Sequence, residues 1–249
     1  MSLLIPVKYH DLNYPFPIKS NICEVPGNFD IDSISVDMPY SLHTEYSYGV
    51  RKFNSKICKN LSGITSAQLD KLNLPDGIPQ LWRDVDWAKD FYKFILKLTK
   101  NKPPKLLEIH PPYNYYCSSF KDFMKVFMVF YDKIKSKYSS LIIHIENRFG
   151  TKKKGGRFLL QYCSDLIKFF NLLNDYSVKD FKIVLDYPQL IGAETKMDFS
   201  KFYKITRFNE NIKEKKYTDL IGGFHMWGKK KIGFGKWLAH HGNFDDLFD

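Results

Sequence analysis

Four side chains that can bind a metal ion end four apolar stretches of the chain at nearly constant spacing. They are His110, Glu146, Asp186 and His225, which close the stretches 105–110, 141–146, 182–186 and 220–225. The steps between them are 36 residues (110 to 146), 40 residues (146 to 186) and 39 residues (186 to 225). Imidazole and carboxylate groups are ligands of divalent zinc, manganese and magnesium. The four positions therefore predict a metal site and leave the identity of the metal open.

Each of these positions also has an explanation that involves no metal. A carboxylate at Glu146, after an apolar strand, is costly unless it is bound to a metal or paired with a cation such as Arg148 or a lysine. Asp186 is also a candidate helix N-cap or turn residue. His110 precedes Pro111, which ends the strand at His110 and turns its side chain toward the strand end.

Two further histidines are candidates near the same site. His144 has the same strand parity as Glu146, so we expect it one layer deeper, contacting a ligand rather than the metal. His240 and His241 are adjacent and cannot both point inward from an extended segment. His241 is predicted as a further metal ligand from a loop after His225, with a surface tail as the alternative.

The elements that must position these residues alternate between strands and helices. The predicted strands, at 105–110, 141–147, 182–187 and 220–227, are rich in Ile, Leu and Val, which is typical of parallel strands buried on both faces. Helices are predicted at 118–137, 160–174 and 198–215 from apolar residues at three- and four-residue spacing. Strands that alternate with helices indicate βαβ crossovers and a barrel whose active site lies at the carboxyl ends of the strands.

The N-terminal part is less regular. A strand is predicted at 33–37, a helix at 87–100, and earlier strands at 3–9 or 22–25, whereas 41–85 is predicted to be an elaborated loop region. The fold class is therefore α/β, a TIM-type (β/α) barrel in one domain over 1–249. Only six to seven strands are recognisable, so we expect the barrel to be incomplete or irregularly closed. A truncated or decayed gene product is one explanation.

Charge and composition restrict the partners. The chain of 249 residues has a formal net charge of +11, which favours DNA or a phosphorylated small molecule as partner. Two basic loops follow the Glu146 and His225 strands and are predicted to bind phosphate. Their basic residues are Lys152, Lys153, Lys154 and Arg157 in the first loop and Lys229, Lys230 and Lys231 in the second. The alternative is that both loops are only solvated surface.

Other compositional features concern location. The four cysteines are far apart and include no Cys-x-x-Cys pair, which is typical of reduced thiols in a cytoplasmic protein. No apolar run approaches the roughly 20 residues that a membrane span needs, and the N-terminus does not resemble a signal peptide. The sequence therefore predicts a cytoplasmic protein with no membrane partner, and it leaves the oligomeric state open.

At its strand ends the chain resembles the xylose-isomerase-like TIM-barrel superfamily, which includes sugar isomerases, epimerases and endonuclease IV. The resemblance covers about 33–245 and is a pattern match rather than a continuous one. His110-Pro111 is similar to the zinc-binding His-Pro-Gly of endonuclease IV, Glu146 to its metal-bridging glutamate, and Asp186 to its next ligand. His225 matches the histidine of the His-Leu-Asn-Asp motif.

The resemblance also includes departures. The segment from His241 to Phe244 is similar to a later His-Glu-Asn-Ile motif, but Ala239 replaces the ligand aspartate that precedes it. Gln189 stands where that family has a further histidine, and the late glutamate ligand has no counterpart. The resemblance therefore implies one or two metal ions rather than a cluster of three.

Together these observations predict a metal-dependent hydrolase that cleaves phosphodiesters in DNA, in the manner of endonuclease IV. Glu146, Asp186 and His225 are the predicted catalytic residues. The first alternative is a sugar or sugar-phosphate isomerase or epimerase, for which Glu, Asp and His ligands suffice but a charge of +11 is unnecessary. The second is a truncated, non-catalytic relative that binds nucleic acid.

Overall fold

Seven parallel strands form one curved sheet in the part of the chain that the structure describes. The structure is a computed structural model and describes residues 6–8, 21–26, 39–44, 65–73, 79–100, 102–152, 155–176, 178–196, 198–225, 228–231 and 237–242. The strands in chain order are β1 (Pro6–Lys8), β2 (Ile22–Pro26), β3 (Tyr40–His43), β4 (Leu106–Ile109), β5 (Ile142–Glu146), β6 (Thr151–Lys152), β7 (Gly156–Arg157), β8 (Phe181–Asp186), β9 (Ile221–His225), β10 (Gly228–Lys231) and β11 (Trp237–Gly242).

The order of strands in the large sheet is β1-β2-β3-β4-β5-β8-β9, and every neighbouring pair is parallel. The remaining strands form two antiparallel hairpins, β6–β7 after β5 and β10–β11 after β9. The fold is thus a curved part of a TIM-type barrel, as predicted from the sequence.

Helices cover the outer face of the sheet. In chain order they are α1 (Ser66–Leu72), α2 (Val85–Thr99), α3 (Phe120–Lys137), α4 (Cys163–Leu173), α5 (Tyr187–Thr195) and α6 (Tyr203–Glu214), with 3-10 turns at Phe199–Lys201 and Tyr217–Leu220. Helix α3 begins where its sequence predicts, because the Ser119 hydroxyl accepts a hydrogen bond from the backbone N–H of Asp122. No helix within the described ranges is long and apolar enough to cross a membrane.

Most predicted elements are confirmed with shifts of a few residues. The four strands that precede the predicted ligands are present as β4, β5, β8 and β9, and the early segments 3–9 and 22–25 contain β1 and β2. The predicted strand at 33–37 lies outside the described residues. Strand β3 and helix α1 fall mostly within 41–85, the region predicted as a loop, and helix α5 was not predicted.

A row of polar side chains crosses the inner face of the sheet. His43 pairs with Glu108, Glu108 with His144, and His144 with Lys182 along four neighbouring strands. Residues paired in parallel strands point to the same face. These four strands are therefore not uniformly apolar, because this row of their inner face is polar.

Trp82 fixes the end of β4 from the outer side. Its ring contacts five other aromatic rings, those of Trp87, Phe91, Phe123, Phe127 and Phe130. Its indole N–H donates a 2.8 Å hydrogen bond to the backbone carbonyl of His110. The large aromatic core between α2, α3 and the sheet therefore holds the backbone of a predicted metal ligand.

Candidate metal centre

Five side chains meet at the carboxyl ends of β3, β4, β5 and β9. We call His43, Glu108, His110, Glu146 and His225 the candidate metal centre. Glu146 lies in its middle, with Oε2 at 3.1 Å from His110 Nε2 and 3.5 Å from His43 Nε2. The same oxygen is 3.7 Å from His225 Nδ1. Two of the predicted ligands, His110 and Glu146, are thereby in direct contact.

Glu108 forms the second half of the centre. Its Oε1 atom lies 3.3 Å from His225 Nε2 and 3.5 Å from His43 Nε2. The same oxygen is buried, and no donor of the described residues forms a hydrogen bond to it with acceptable geometry. The imidazoles of His43 and His110 also face one another, with 3.2 Å between their Nε2 atoms.

These donors form two overlapping groups that fit metal ions. One group is His43, His110 and Glu146, the other is Glu108, Glu146 and His225, and in each the ligand atoms lie within 4.8 Å of one another. Facing imidazole nitrogens and a buried carboxylate oxygen without a hydrogen bond are what a set of ligands presents to a cation. The residues therefore fit a divalent metal, and Glu146 belongs to both groups.

The charges of the centre favour added positive charge. Burial lowers the pKa of His43 and of His225, but the surrounding carboxylates raise both pKa values well above the usual value for histidine. Burial raises the pKa of Glu108, yet His225 and His43 lower it to about 2. Glu108 and Glu146 thus keep their negative charge and favour protonation of His43 and His225. A bound divalent cation would supply this positive charge in place of the two protons.

Arg148 forms an ion pair with Glu146, which is the explanation of Glu146 without a metal that the sequence offered. Its Nη1 atom donates a 2.8 Å hydrogen bond to Glu146 Oε1. Burial raises the pKa of Glu146, but Arg148 and His225 hold it well below its usual range. Since Arg148 contacts Oε1 and the imidazoles approach Oε2, the ion pair and a metal role use different oxygens of one carboxylate.

Asp186 lies at the edge of the centre and outside both ligand groups. Its Oδ1 atom accepts a 2.8 Å hydrogen bond from the backbone N–H of Gln189, so it is the N-cap of α5. The side chain of Asn147 accepts a hydrogen bond from the backbone N–H of Asp186 and donates one to its carbonyl. Burial and the neighbouring charge of Glu146 raise the pKa of Asp186 to about 8. Its predicted ligand role stays a prediction.

His225 reaches the centre because β9 carries one extra residue. Ile183 pairs with Ile221, but the next residue of β8, Val184, pairs with Gly223. The register shift brings His225 opposite Asp186 on the inner face. A Cβ atom on the intervening Gly222 would lie 2.4 Å from His144 Nε2, so glycine is required for this close approach.

The predicted phosphate-binding residues are only partly described. Lys152 lies on β6, and Lys229, Lys230 and Lys231 lie on β10, but their side chains are outside the description, as are both Lys153 and Lys154 entirely. Arg157 is described, and its guanidinium donates a 2.8 Å hydrogen bond to Asp165. The backbone of His241 lies on β11, but its side chain is not described. These roles stay predictions.

The loops after β4 and β5 are joined beside the centre. Asn114 N–H donates to the Arg157 carbonyl, and Arg157 N–H donates to Asn114 Oδ1, both at 2.8 Å. The rings of Tyr113 and Phe158 stack with centroids 4.5 Å apart. The hairpin that carries Lys152 is therefore attached to the loop that follows His110.

Sequence reasoning missed His43, Glu108 and the nearby Glu24. Glu108 could have been found, because it lies two residues before His110 just as His144 lies two residues before Glu146, and side chains alternate along a strand. His43 had no such signal, since the strand was predicted at 33–37 rather than at Tyr40–His43. His144 is buried on the inner face, and burial lowers its pKa to about 4.

The fold and the centre define an α/β protein with part of a TIM-type barrel and a candidate metal site at the carboxyl ends of its strands. No protein-family model and no curated protein sequence matches the chain. Two solved structures are similar to it in fold. One, described as "The crystal structure of AsfvAP:AG", is 11% identical with a TM-score of 0.47 and covers 92% of this chain and 67% of that one. The other, a xylose isomerase domain protein from Planctomyces limnophilus, is 11% identical with a TM-score of 0.38 and covers 88% and 70%.

Proposed function

We propose that this chain is a metal-dependent hydrolase that cleaves phosphodiesters in DNA. The observation that carries the proposal is that two ligand groups share the carboxylate of Glu146. Nucleases and phosphatases commonly use pairs of metal ions about 4 Å apart, and a carboxylate that belongs to two adjacent ligand groups could contact both ions of such a pair. Bound ions would polarise a phosphoryl oxygen and lower the pKa of a water molecule.

The chain's own residues would hold this centre in place. Arg148 fixes one oxygen of Glu146 and leaves the other directed at His110 and His43. Trp82 fixes the backbone of His110. Preorganised ligands of this kind bind a cation without first having to change conformation.

The charge of the chain supports a polyanionic substrate. The net charge is +11, and the basic segments at 152–154 and 229–231 follow the strands that end at Glu146 and His225. Because both segments leave the sheet at the end that carries the centre, they are proposed to contact the phosphates on either side of the cleaved bond. A neutral sugar would not need this charge.

A sugar or sugar-phosphate isomerase is the second candidate, and Asp186 favours it. This carboxyl group lies outside both ligand groups, next to Glu146, with its pKa raised to about 8. A group that titrates near neutral pH suits proton transfer between two carbons of a substrate. The two candidates differ in substrate rather than in the location of the site.

Metal content and substrate turnover test the proposal together. We expect elemental analysis to find zinc, manganese or magnesium in the native protein and little metal in Glu146→Gln. Glu194→Gln is the matched control, because Glu194 is also a largely buried acid but contacts Lys204 and the backbone of Cys163 instead. This control should retain the metal.

The substrate is tested on duplex DNA that contains one abasic site, on undamaged duplex and on sugar phosphates. We expect metal-dependent cleavage of DNA that is lost in Glu146→Gln and kept in Glu194→Gln. Turnover of a sugar phosphate without DNA cleavage would favour the isomerase. A native protein that contains no metal after incubation with each of the three ions would contradict both candidates.

A further inference from the structure

Glu24 lies on the opposite side of the His43 ring from the candidate metal centre. Glu24 Oε1 is 3.4 Å from His43 Nδ1. The other ring nitrogen, Nε2, lies 3.2 Å from His110 Nε2 and 3.5 Å from Glu146 Oε2. One edge of the imidazole therefore faces the ligands, and the other edge faces a carboxylate that belongs to neither ligand group.

The register of β2 and β3 places Glu24 there. Glu24 pairs with Ser41, and Pro26 pairs with His43. Side chains alternate along a strand, so Glu24 and His43 lie on the same face and are offset by two residues. The Glu24 side chain is 19% exposed and that of His43 is 8% exposed. The carboxylate thus approaches the ring from the amino-terminal side of the neighbouring strand.

We propose that Glu24 is a positioning residue that prepares His43 to bind a metal through Nε2. By accepting a hydrogen bond from Nδ1–H, Glu24 keeps that proton on Nδ1 and leaves the lone pair of Nε2 directed at the centre. Histidine ligands are commonly held in this way, by a carboxylate on the nitrogen that does not bind the metal. The inference rests on the proposed metal centre, but it concerns a residue outside that centre.

A purely structural role for Glu24 makes a different prediction. An ion pair that only joins β2 to β3 would lower the free energy of unfolding when it is removed and would leave metal affinity unchanged. A positioning role lowers metal affinity even in a variant that folds normally. The two roles therefore separate when binding and unfolding are measured on the same variants.

The experiment compares Glu24→Ala and Glu24→Gln with the native protein. Zn²⁺ affinity is measured by competition with a chromophoric chelator, the ligand field by the visible absorption of bound Co²⁺, and folding by denaturant unfolding of the metal-free chain. We expect Glu24→Ala to lower Zn²⁺ affinity by about 10- to 100-fold and to change the Co²⁺ spectrum. Glu24→Gln keeps an oxygen that can accept a hydrogen bond from His43 Nδ1–H, so its Zn²⁺ affinity should lie between that of the native protein and that of Glu24→Ala.

The control and the contrary results keep the two proposals separate. Glu194→Gln should leave Zn²⁺ affinity and the Co²⁺ spectrum unchanged. A folded Glu24→Ala variant with native Zn²⁺ affinity would overturn the positioning role and leave the metal centre standing. A native protein that binds neither Zn²⁺ nor Co²⁺ would overturn both.

Discussion

The candidate metal centre takes its ligands from two kinds of strand, and they differ in how firmly they are held. Strands β4 and β5 lie between neighbours on both sides and are buried almost throughout. Strand β9 is the last in the described sheet, and its residues alternate between half-buried and exposed. The side chain of Glu146 is fully buried, whereas that of His225 is 20% exposed.

This difference suggests that the two ligand groups have different tolerance to change. The group of His43, His110 and Glu146 lies entirely on inner strands, so packing on both faces fixes it. The group that includes His225 depends on the local geometry of β9, where two glycines precede the aromatic residue Phe224. We therefore expect inner-strand changes to affect global stability and β9 changes to act mainly on the site.

The largest expected effect comes from Trp82. Trp82→Ala removes a fully buried indole from five ring contacts, so the free energy of unfolding should fall by about 3–5 kcal/mol. The matched change on the edge strand is Phe224→Ala, which removes a ring that is 58% exposed and stacks on Tyr187. Its cost should be about 1 kcal/mol or less. Urea unfolding measures the free energy of unfolding of both variants. Equal decreases would refute the difference between the inner strands and β9.

The pH dependence of stability should have opposite signs at His144 and His225. Burial lowers the pKa of His144 to about 4, so its contribution is full above its unfolded value of about 6.5 and is lost as the pH falls toward 4. For His225 the carboxylates raise the pKa, so its contribution is full below about 6.5 and is lost as the pH rises through the folded value.

The measurement is the free energy of unfolding of metal-free protein from pH 4 to 8. Subtracting the curve of His144→Gln should leave a difference of up to about 3 kcal/mol that develops below pH 6.5. Subtracting the curve of His225→Gln should leave a difference that shrinks at high pH. Two difference curves of the same sign would show that the inner and edge imidazoles do not differ in this way.

The smallest expected effect separates two adjacent glycines of β9. A Cβ atom at Gly222 would lie 2.4 Å from His144 Nε2 and 2.7 Å from Lys182 Cβ, whereas at Gly223 the nearest atom is 3.8 Å away. Gly222→Ala should therefore cost about 1–3 kcal/mol and weaken Zn²⁺ binding by displacing β9. Gly223→Ala should do neither. Thermal unfolding and chelator competition are measured on both variants. Equal stability and equal Zn²⁺ affinity in Gly222→Ala and Gly223→Ala would show that the space around each glycine does not determine the effect.

Local signals in the sequence predicted most of the fold. Apolar runs predicted β4, β5 and β8, and helical periodicity predicted α2, α3 and α4, because these elements are buried in the way their patterns imply. The run at β9 also predicted a strand, but its residues are half-buried or exposed rather than buried on both faces. Strand β3 was missed because Ser41 and His43 interrupt its four residues, Tyr40–His43, so that no apolar run marks it. Helix α5 was missed because it begins directly after β8, with Asp186 as its cap.

The residues of the candidate site that the sequence predicted are those that end predicted strands. His110, Glu146 and His225 meet as expected, because the carboxyl ends of parallel strands lie together. Glu108 was marked only by its position two residues before His110, whereas Glu24 lies inside a strand, where a charged residue in one sequence gives no sign of which partner neutralises it. Contacts such as Glu24 to His43 depend on the register between strands, which pairs residues distant in sequence and leaves no local pattern.

The extra residue in β9 has a consequence for comparing this chain with others. His225 faces the centre because one more residue separates it from Ile221 than the ladder with β8 would otherwise require. Deleting Gly222 would remove the extra residue and restore a regular ladder, in which the imidazole still lies opposite Asp186 on the inner face. An ungapped alignment with a chain that lacks the extra residue would therefore match residues that lie on opposite sides of the sheet, and a one-residue gap at this point would restore the match.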